Sequence, residues 1–350
     1  MPGGNGAAAS VSQVQSRPTL LCIVYGRAKR GKTASSLRAF AHRSISIGVR
    51  AAVELVGESV CGFTPKPVIE GVTNLPQLVA YLEQLGTSGA VRQFSSVLVD
   101  DASHICQQSM LAWDVEKGNN QFYPYKMLDS WLLRLAAICR RLGVHLVMNF
   151  HEKEPGFDTR VNRPTPGGPH VPSKNQVDTV PSWCDLVLRA IPDPESPDPW
   201  WPVCFWCKPT DTNWTTADRN SVCWTKTPEN LREILRASPG GYDLGRLPGL
   251  EWQDEWAQVV CDRMLAGEHP KDICVDVAAR WKGRVKHPSQ QVHLMWACQD
   301  GIARAVIRKR QSLGLFNFEA LAEAPAQGPV ASPLPPRRGE NTEGARPGTW

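Results

Sequence analysis

Two kinds of hydrophobic run alternate along residues 18–235. TLLCIVYG (Thr19–Gly26), VRAAVELV (Val49–Val56), SSVLVDD (Ser95–Asp101) and VHLVMNF (Val144–Phe150) are short and almost unbroken. TASSLRAFAHRSISIG, LPQLVAYLEQLG (Leu75–Gly86) and the segment Met127–Leu142 instead repeat apolar residues at intervals of three and four. The short runs predict strands buried on both faces, and the periodic segments predict helices. Strands and helices in alternation predict an α/β fold with a mainly parallel sheet. After a Pro/Gly-rich gap, CDLVLRAI, PVCFWCK and SVCWTK predict two or three more strands. From about Leu250 to Gln311 the pattern is helical, with breaks near Gly267 and Gly283, and Trp252, Trp256, Val259 and Val260 share one predicted face.

Residues 1–17 are small and polar, and 323–350 are rich in Pro and Gly. Neither stretch carries enough apolar surface to offset the entropy of ordering, so both read as tails. The expected organisation is therefore a core over 18–236 and a small helical subdomain over 237–322, without internal repeats. A 42% hydrophobic content excludes disorder throughout. No apolar run approaches the roughly 18–20 residues of a membrane span, and the N-terminus lacks a secretory pattern. Eleven scattered cysteines, an odd number, suit free thiols in a reducing cytoplasm better than a disulfide framework. The net charge of +5 is compatible with a nucleic-acid partner without arguing for one.

The chemistry begins directly after the first strand. GRAKRGKT fits G-x-x-x-x-G-K-[ST] between a predicted strand and a predicted helix, the context a phosphate loop requires. The backbone N–H groups of Gly26, Arg27, Ala28, Lys29, Arg30, Gly31, Lys32, Thr33 and Ala34 would then wrap the phosphates at a helix N-terminus. Lys32 would reach the β- and γ-phosphates, and Thr33 would hold Mg2+. The implied cofactors are ATP and Mg2+. Asp100, ending the third strand, is the expected metal-side carboxylate. For orienting the attacking water, Glu58 at the expected edge of the second strand competes with Asp101, and Glu54 is a further candidate. Asn149 and His151, in NFHEKE, are placed to sense the γ-phosphate, or His151 merely caps the strand end.

In this order the parts resemble the small RecA-like ATPases of phages linked to single-strand annealing and recombination. GRAKRGKT, VLVDDAS, the long helix, HLVMNFHEKE, TNWTTADRNSVCW and TPENLREIL carry the resemblance, over about residues 18–236. It implies a RecA-like P-loop core, a homo-oligomeric ring or filament, single-stranded DNA as partner, and the host cytoplasm as location. It also implies a basic finger reaching the neighbour's nucleotide. Arg219 is the candidate, with Ala217 where the family often carries Lys, and a solvated turn arginine is the alternative.

The resemblance further implies two DNA loops. KGNNQFYPYK mixes Lys117 and Lys126 with Phe122, Tyr123 and Tyr125, a composition suited to phosphate contact and base stacking, or to an aromatic loop packed on its own domain. EPGFDTRVNRPTPGGPHVPSK is long and basic through Arg160, Arg163 and Lys174. A DNA-translocating motor and a nucleotide-gated DNA-binding scaffold with little turnover remain the rival readings. Cys204 and Cys207 form a C-x-x-C inside an apolar strand, where thiols pack as hydrophobes more readily than they bind zinc. Trp200, Trp201, Trp206, Trp214 and Trp224 suit a core as well as base stacking. Lys282, Arg284, Lys286, Arg304, Arg308, Lys309 and Arg310 make the C-terminal helices basic, either as helix-dipole partners or as a second surface. Arg337, Arg338 and Trp350 in the tail suit docking to a single-strand-binding protein.

Overall fold

The computed structural model describes residues 19–40, 43–159, 162–208, 213–223, 225–239, 242, 244, 251–281 and 288–313. Both expected tails, the connector with Lys282, Arg284 and Lys286, and Arg160 and Trp224 lie outside the described residues.

The first apolar run forms β1 (Leu21–Gly26), buried along its whole length. Leu21, Ile23 and Tyr25 enter one core cluster, while Cys22 and Val24 enter the other. That split is the period-2 signature of a strand covered on both faces. The phosphate-loop segment follows, then α1 (Lys32–Phe40). The helix ends there, and Ser44–Ile47 is β2, a strand where a continued helix was expected. Ile45 and Ile47 face the first core cluster, and Ser44 and Ser46 are also buried.

VRAAVELV, expected as a strand, is instead α2 (Arg50–Val56), which widens into a π turn over Gly57–Cys61. Within α2 only Val53 is buried, and Val49 and Leu55 are exposed. The run is apolar by composition but buries one face, and a short apolar run does not distinguish helix from strand by itself. Glu54 and Glu58 therefore do not stand at a strand's C-terminal edge.

Next come β3 (Val68–Ile69), α3 (Leu75–Ser88), β4 (Ser96–Val99), α4 (Ala102–Glu116), α5 (Tyr123–Leu142) and β5 (His145–Lys153). Asn74 caps α3 through Gln77 N–H, and Pro at its first turn suits the start of a helix. Pro124 plays the same part in α5, so Tyr123, Tyr125 and Lys126 belong to a helix and the preceding loop is shorter than expected. The long segment after β5 is not structureless. It carries the hairpin β6 (Gly156–Asp158) and β7 (Arg163–Thr165), then β8 (Gly168–Pro169) and α6 (Lys174–Trp183).

The chain continues as β9 (Leu186–Pro192), β10 (Val203–Cys207), β11 (Ala217–Asp218), β12 (Thr225–Pro228) and α7 (Leu231–Ala237). The main sheet runs β12-β10-β9-β1-β5-β4-β2-β3, with β8 and β11 as side pairs. From β9 to β3 neighbours are parallel, while β10, β11 and β12 pair antiparallel. The fold is α/β, with a mostly parallel mixed sheet and helices on both faces.

The last helices are α8 (Glu251–Leu265), α9 (Pro270–Trp281) and α10 (Pro288–Ser312). They share a small core around Val260, Ile273, Val277 and Ile302, with Trp252 and Trp256 against it and Val259 turned outward. α10 also reaches the main core through Ile307. Among the described residues, no helix is long and apolar enough to cross a membrane.

Candidate functional site

Parallel strands with α-helical crossovers leave their C-terminal edges free, and ligands of open α/β sheets gather there. At this edge Gly26 of β1 is level with His151 of β5, and Tyr25 with Arg189 of β9. A Cβ on Gly26 would stand 2.6 Å from the Ala190 carbonyl oxygen, so the close approach of β9 demands glycine. Gly31 has φ +75°, a left-handed conformation that costs other residues roughly 1–2 kcal/mol. Between them the loop closes on its own lysine. Lys32 Nζ donates to the carbonyls of Gly26 (3.0 Å) and Arg27 (2.8 Å). Burial pulls the Lys32 ammonium below the usual lysine range, while Asp100, Glu229, Glu152 and Asp101 oppose that shift.

Thr33 Oγ1 donates to Asp100 Oδ1 at 2.8 Å, joining the start of α1 to the end of β4. Asn149 Nδ2 donates to the same oxygen at 2.9 Å and its Oδ1 accepts from Ser36 Oγ at 2.9 Å. Asn149 is buried, with both ends of its amide engaged in a chain Ser36–Asn149–Asp100–Thr33. Its place is between α1 and the carboxylate rather than at the open edge. A hydroxyl and a carboxylate, both hard oxygen donors, suit Mg2+, which takes few protein ligands and keeps several waters. Thr33 and Asp100 are the residues that fit it.

Asp101 turns left-handed at φ 58° and caps α4 through His104 N–H. Its Oδ1 lies 3.5 Å from His151 Nε2, and both side chains are about half exposed. These two groups face the same edge as the loop. Glu58 does not share that arrangement: it is exposed on the π turn, where Oε1 accepts from Thr64. Arg219 lies at the opposite edge. Asp218 pairs with Leu186, and Leu186 lies level with Cys22. The Arg219 guanidinium donates to the Pro181 and Ser182 carbonyls at the end of α6.

The aromatic candidates divide. Phe122 and Tyr125 are exposed, whereas Tyr123 packs against the core. Lys117 pairs with Asp114 at 2.6 Å, and Lys126 is exposed. Arg163 sits on the β6–β7 hairpin; Lys174 opens α6, and its side chain lies outside the description. Cys204 and Cys207, three apart on β10, point to opposite faces and cannot converge on one ion; Cys207 packs in the second core cluster. Trp214 lies under the Arg189 guanidinium, 3.1 Å from its ring centroid. In α10, Arg304 and Arg310 bond inward, to Glu233 and to Thr227 with the Lys226 carbonyl.

Several residues of the site have no local signal. Glu152, buried, binds Arg189 at 2.7 Å and lies 3.7 Å from Arg27, which also pairs with Glu154 at 2.5 Å. Their place at the ends of β5 and β9 is the one hint the sequence offered. Glu229 had none, and Trp201 was marked only as an aromatic suited to a core or to base stacking. Glu229 follows β12, and the ladder Pro228–Cys204–Ile191 returns it to the edge beside Gly26. A Cβ on Gly31 would meet Glu229 Oε2 at 2.2 Å. Trp201 Nε1 donates to that same oxygen. Burial pushes the Glu229 carboxyl up to about 8.

The arrangement brings together, at one sheet edge, a glycine-bounded loop closed on Lys32, two metal-compatible oxygens of Thr33 and Asp100, and a half-exposed Asp101–His151 pair. In comparisons with known proteins, no family model matches the sequence and no curated protein gives a significant match.

Proposed function

We propose that the chain is a RecA-like P-loop ATPase that binds ATP at Gly26–Ala34 and acts on single-stranded DNA in recombination or strand annealing. The observation that carries the reading is the Thr33–Asp100 contact at 2.8 Å. It joins the residue after the loop lysine to a strand-end carboxylate one strand removed from β1, the pairing by which phosphate-loop enzymes hold Mg2+. The placement of β5 between β1 and β4 supports it.

In this reading the amides of the loop and of the first turn of α1 hold the phosphates, and Lys32 leaves the Gly26 and Arg27 carbonyls to neutralise them. When bound, Mg2+ offsets the charge on the β- and γ-phosphates. Asp101, with His151 beside it, orients the attacking water, a task for which the half-exposed pair is better placed than Glu58. The exposed Phe122, Tyr125 and Lys126, with the partly buried Lys117 and with Arg163 on the hairpin, suit a single strand through stacking and phosphate contact. The resemblance adds self-assembly, with Arg219 offered to a neighbouring copy, and Arg337, Arg338 and Trp350 of the C-terminal stretch suit docking to a single-strand-binding protein.

A second reading is a nucleotide-gated DNA-binding scaffold with little turnover. It is favoured by the Arg219 guanidinium being held by the α6 carbonyls of its own chain. ATP hydrolysis measured without DNA, with single-stranded DNA and with duplex, beside Lys32→Ala, separates the cases. Stimulation by single strands that Lys32→Ala abolishes is the expected result. Stimulation by duplex alone indicates a translocating motor, and ATP binding without turnover indicates the scaffold.

A further inference from the structure

We propose that Glu229 is a positioning residue of the phosphate loop that works as the neutral acid, filling the space beside Gly31 and admitting an anionic nucleotide while its carboxyl is protonated. The inference rests on the reading of that loop as a nucleotide site. Three geometric facts carry it. Glu229 is 8% exposed. Its Oε2 stands where a side chain on Gly31 would stand and accepts from Trp201 Nε1. Its Oε1 is buried with no hydrogen-bond partner among the described residues.

A carboxylate in that setting is far more costly than a carboxylic acid, because burial without pairing penalises the charge above all. The charged and titratable groups around it do not relieve this by direct contact. From α1 come Lys32, engaged by loop carbonyls, and Arg38, engaged by Asp300 at 2.6 Å. From the β9–β10 connection comes Asp198, a like charge, and from the π turn the Cys61 thiol. The direction of the Glu229 titration agrees with this geometry. A triphosphate in the loop adds negative charge close by and draws Lys32 to itself, so ionised Glu229 and bound nucleotide oppose one another. Above the carboxyl's own titration, nucleotide binding must therefore take up a proton, and affinity falls by at most about tenfold per pH unit.

The test compares Mg·ATP binding by wild type and by Glu229→Gln, a neutral replacement of the same shape, from pH 7 to pH 9, with Lys32→Ala as control. Between pH 7 and pH 9 the wild-type Kd should rise about tenfold more than that of Glu229→Gln, each taken relative to its own value at pH 7. Calorimetry on wild type alone, in buffers of different ionisation heat at pH 8.5, should show proton uptake on binding, so the test survives a variant that fails to fold. Equal pH profiles and no proton uptake overturn the proposal and leave the nucleotide reading standing. No ATP binding by wild type, or binding indifferent to Lys32→Ala, overturns that reading and the proposal with it.

Discussion

Asp300→Asn should destabilise the protein by about 3–5 kcal/mol, the usual consequence of stripping one partner from a buried ion pair. Asp300 is 1% exposed and Arg38 6%. Asp300 Oδ1 accepts from Arg38 and from Asn230 Nδ2, each at 2.6 Å, and Oδ2 accepts from Gln253 Nε2 at 3.0 Å. The Arg38 guanidinium also lies 3.2 Å from the Trp296 ring centroid, and one of its nitrogens has no partner. Asparagine at 300 keeps an amide oxygen that can accept from Arg38 but carries no charge. The cation then stays buried without its anionic partner, a loss that cation–π attraction of roughly 2 kcal/mol does not make good. The loss is a large share of the roughly 5–15 kcal/mol that holds an ordinary domain folded.

Equilibrium denaturation at pH 7, followed by the fluorescence of the protein's tryptophans, measures it. The double variant Arg38→Met/Asp300→Leu should recover most of the loss, because it removes both charges rather than orphaning one. A loss below about 1 kcal/mol for Asp300→Asn, the size expected of an exposed pair, would refute the reasoning. The pH dependence has a definite sign. Burial pulls the Asp300 carboxyl upward, yet Arg38, Asn230 and Arg232 hold it below the ordinary aspartate range. Its contribution is therefore complete above that range and disappears only as pH falls through the lowered value.

Gly31→Ala places a methyl 2.2 Å from Glu229 Oε2 at a left-handed φ, and should cost about 2–4 kcal/mol from clash and strain together. Gly31→Ala/Glu229→Ala should relieve the clash but not the strain, and equal melting temperatures for Gly31→Ala and wild type would contradict both terms. Asn149→Ala leaves the buried Ser36 hydroxyl unpaired and removes a donor from Asp100, at about 1–3 kcal/mol. It should also weaken Mg2+-dependent nucleotide binding, read by titration with and without the metal, and unchanged binding would show that Asp100 needs no such support.

β1, the phosphate-loop segment, α3, α5 and β5 were legible because their signals are local. An unbroken apolar run, a glycine-bounded loop and apolar residues repeating at intervals of three and four each act within a few residues. β2 was hidden because Ser44 and Ser46 alternate with Ile45 and Ile47, and serine carries no apolar signal although both are buried here. α2 was mistaken for a strand because valine-rich composition says nothing of which face is covered. Those two errors moved Glu58 to a sheet edge it does not occupy, while Asp100, on a strand read correctly, meets Thr33.

The partners of the phosphate loop beyond Asp100 are set by strand order. Glu229 reaches Gly31 because the chain leaves β9, turns back through β10 and returns along β12, ending at the edge from which it began. Arg38 and Asp300 meet because α10 packs across α1 and α7. The sequence by itself determined where a glycine-bounded loop of the phosphate-loop pattern stands between a strand and a helix, since that depends on neighbouring residues. Tertiary structure alone decided which carboxyls stand against that loop and which of them are buried, because burial and pairing are properties of the assembled sheet and helices.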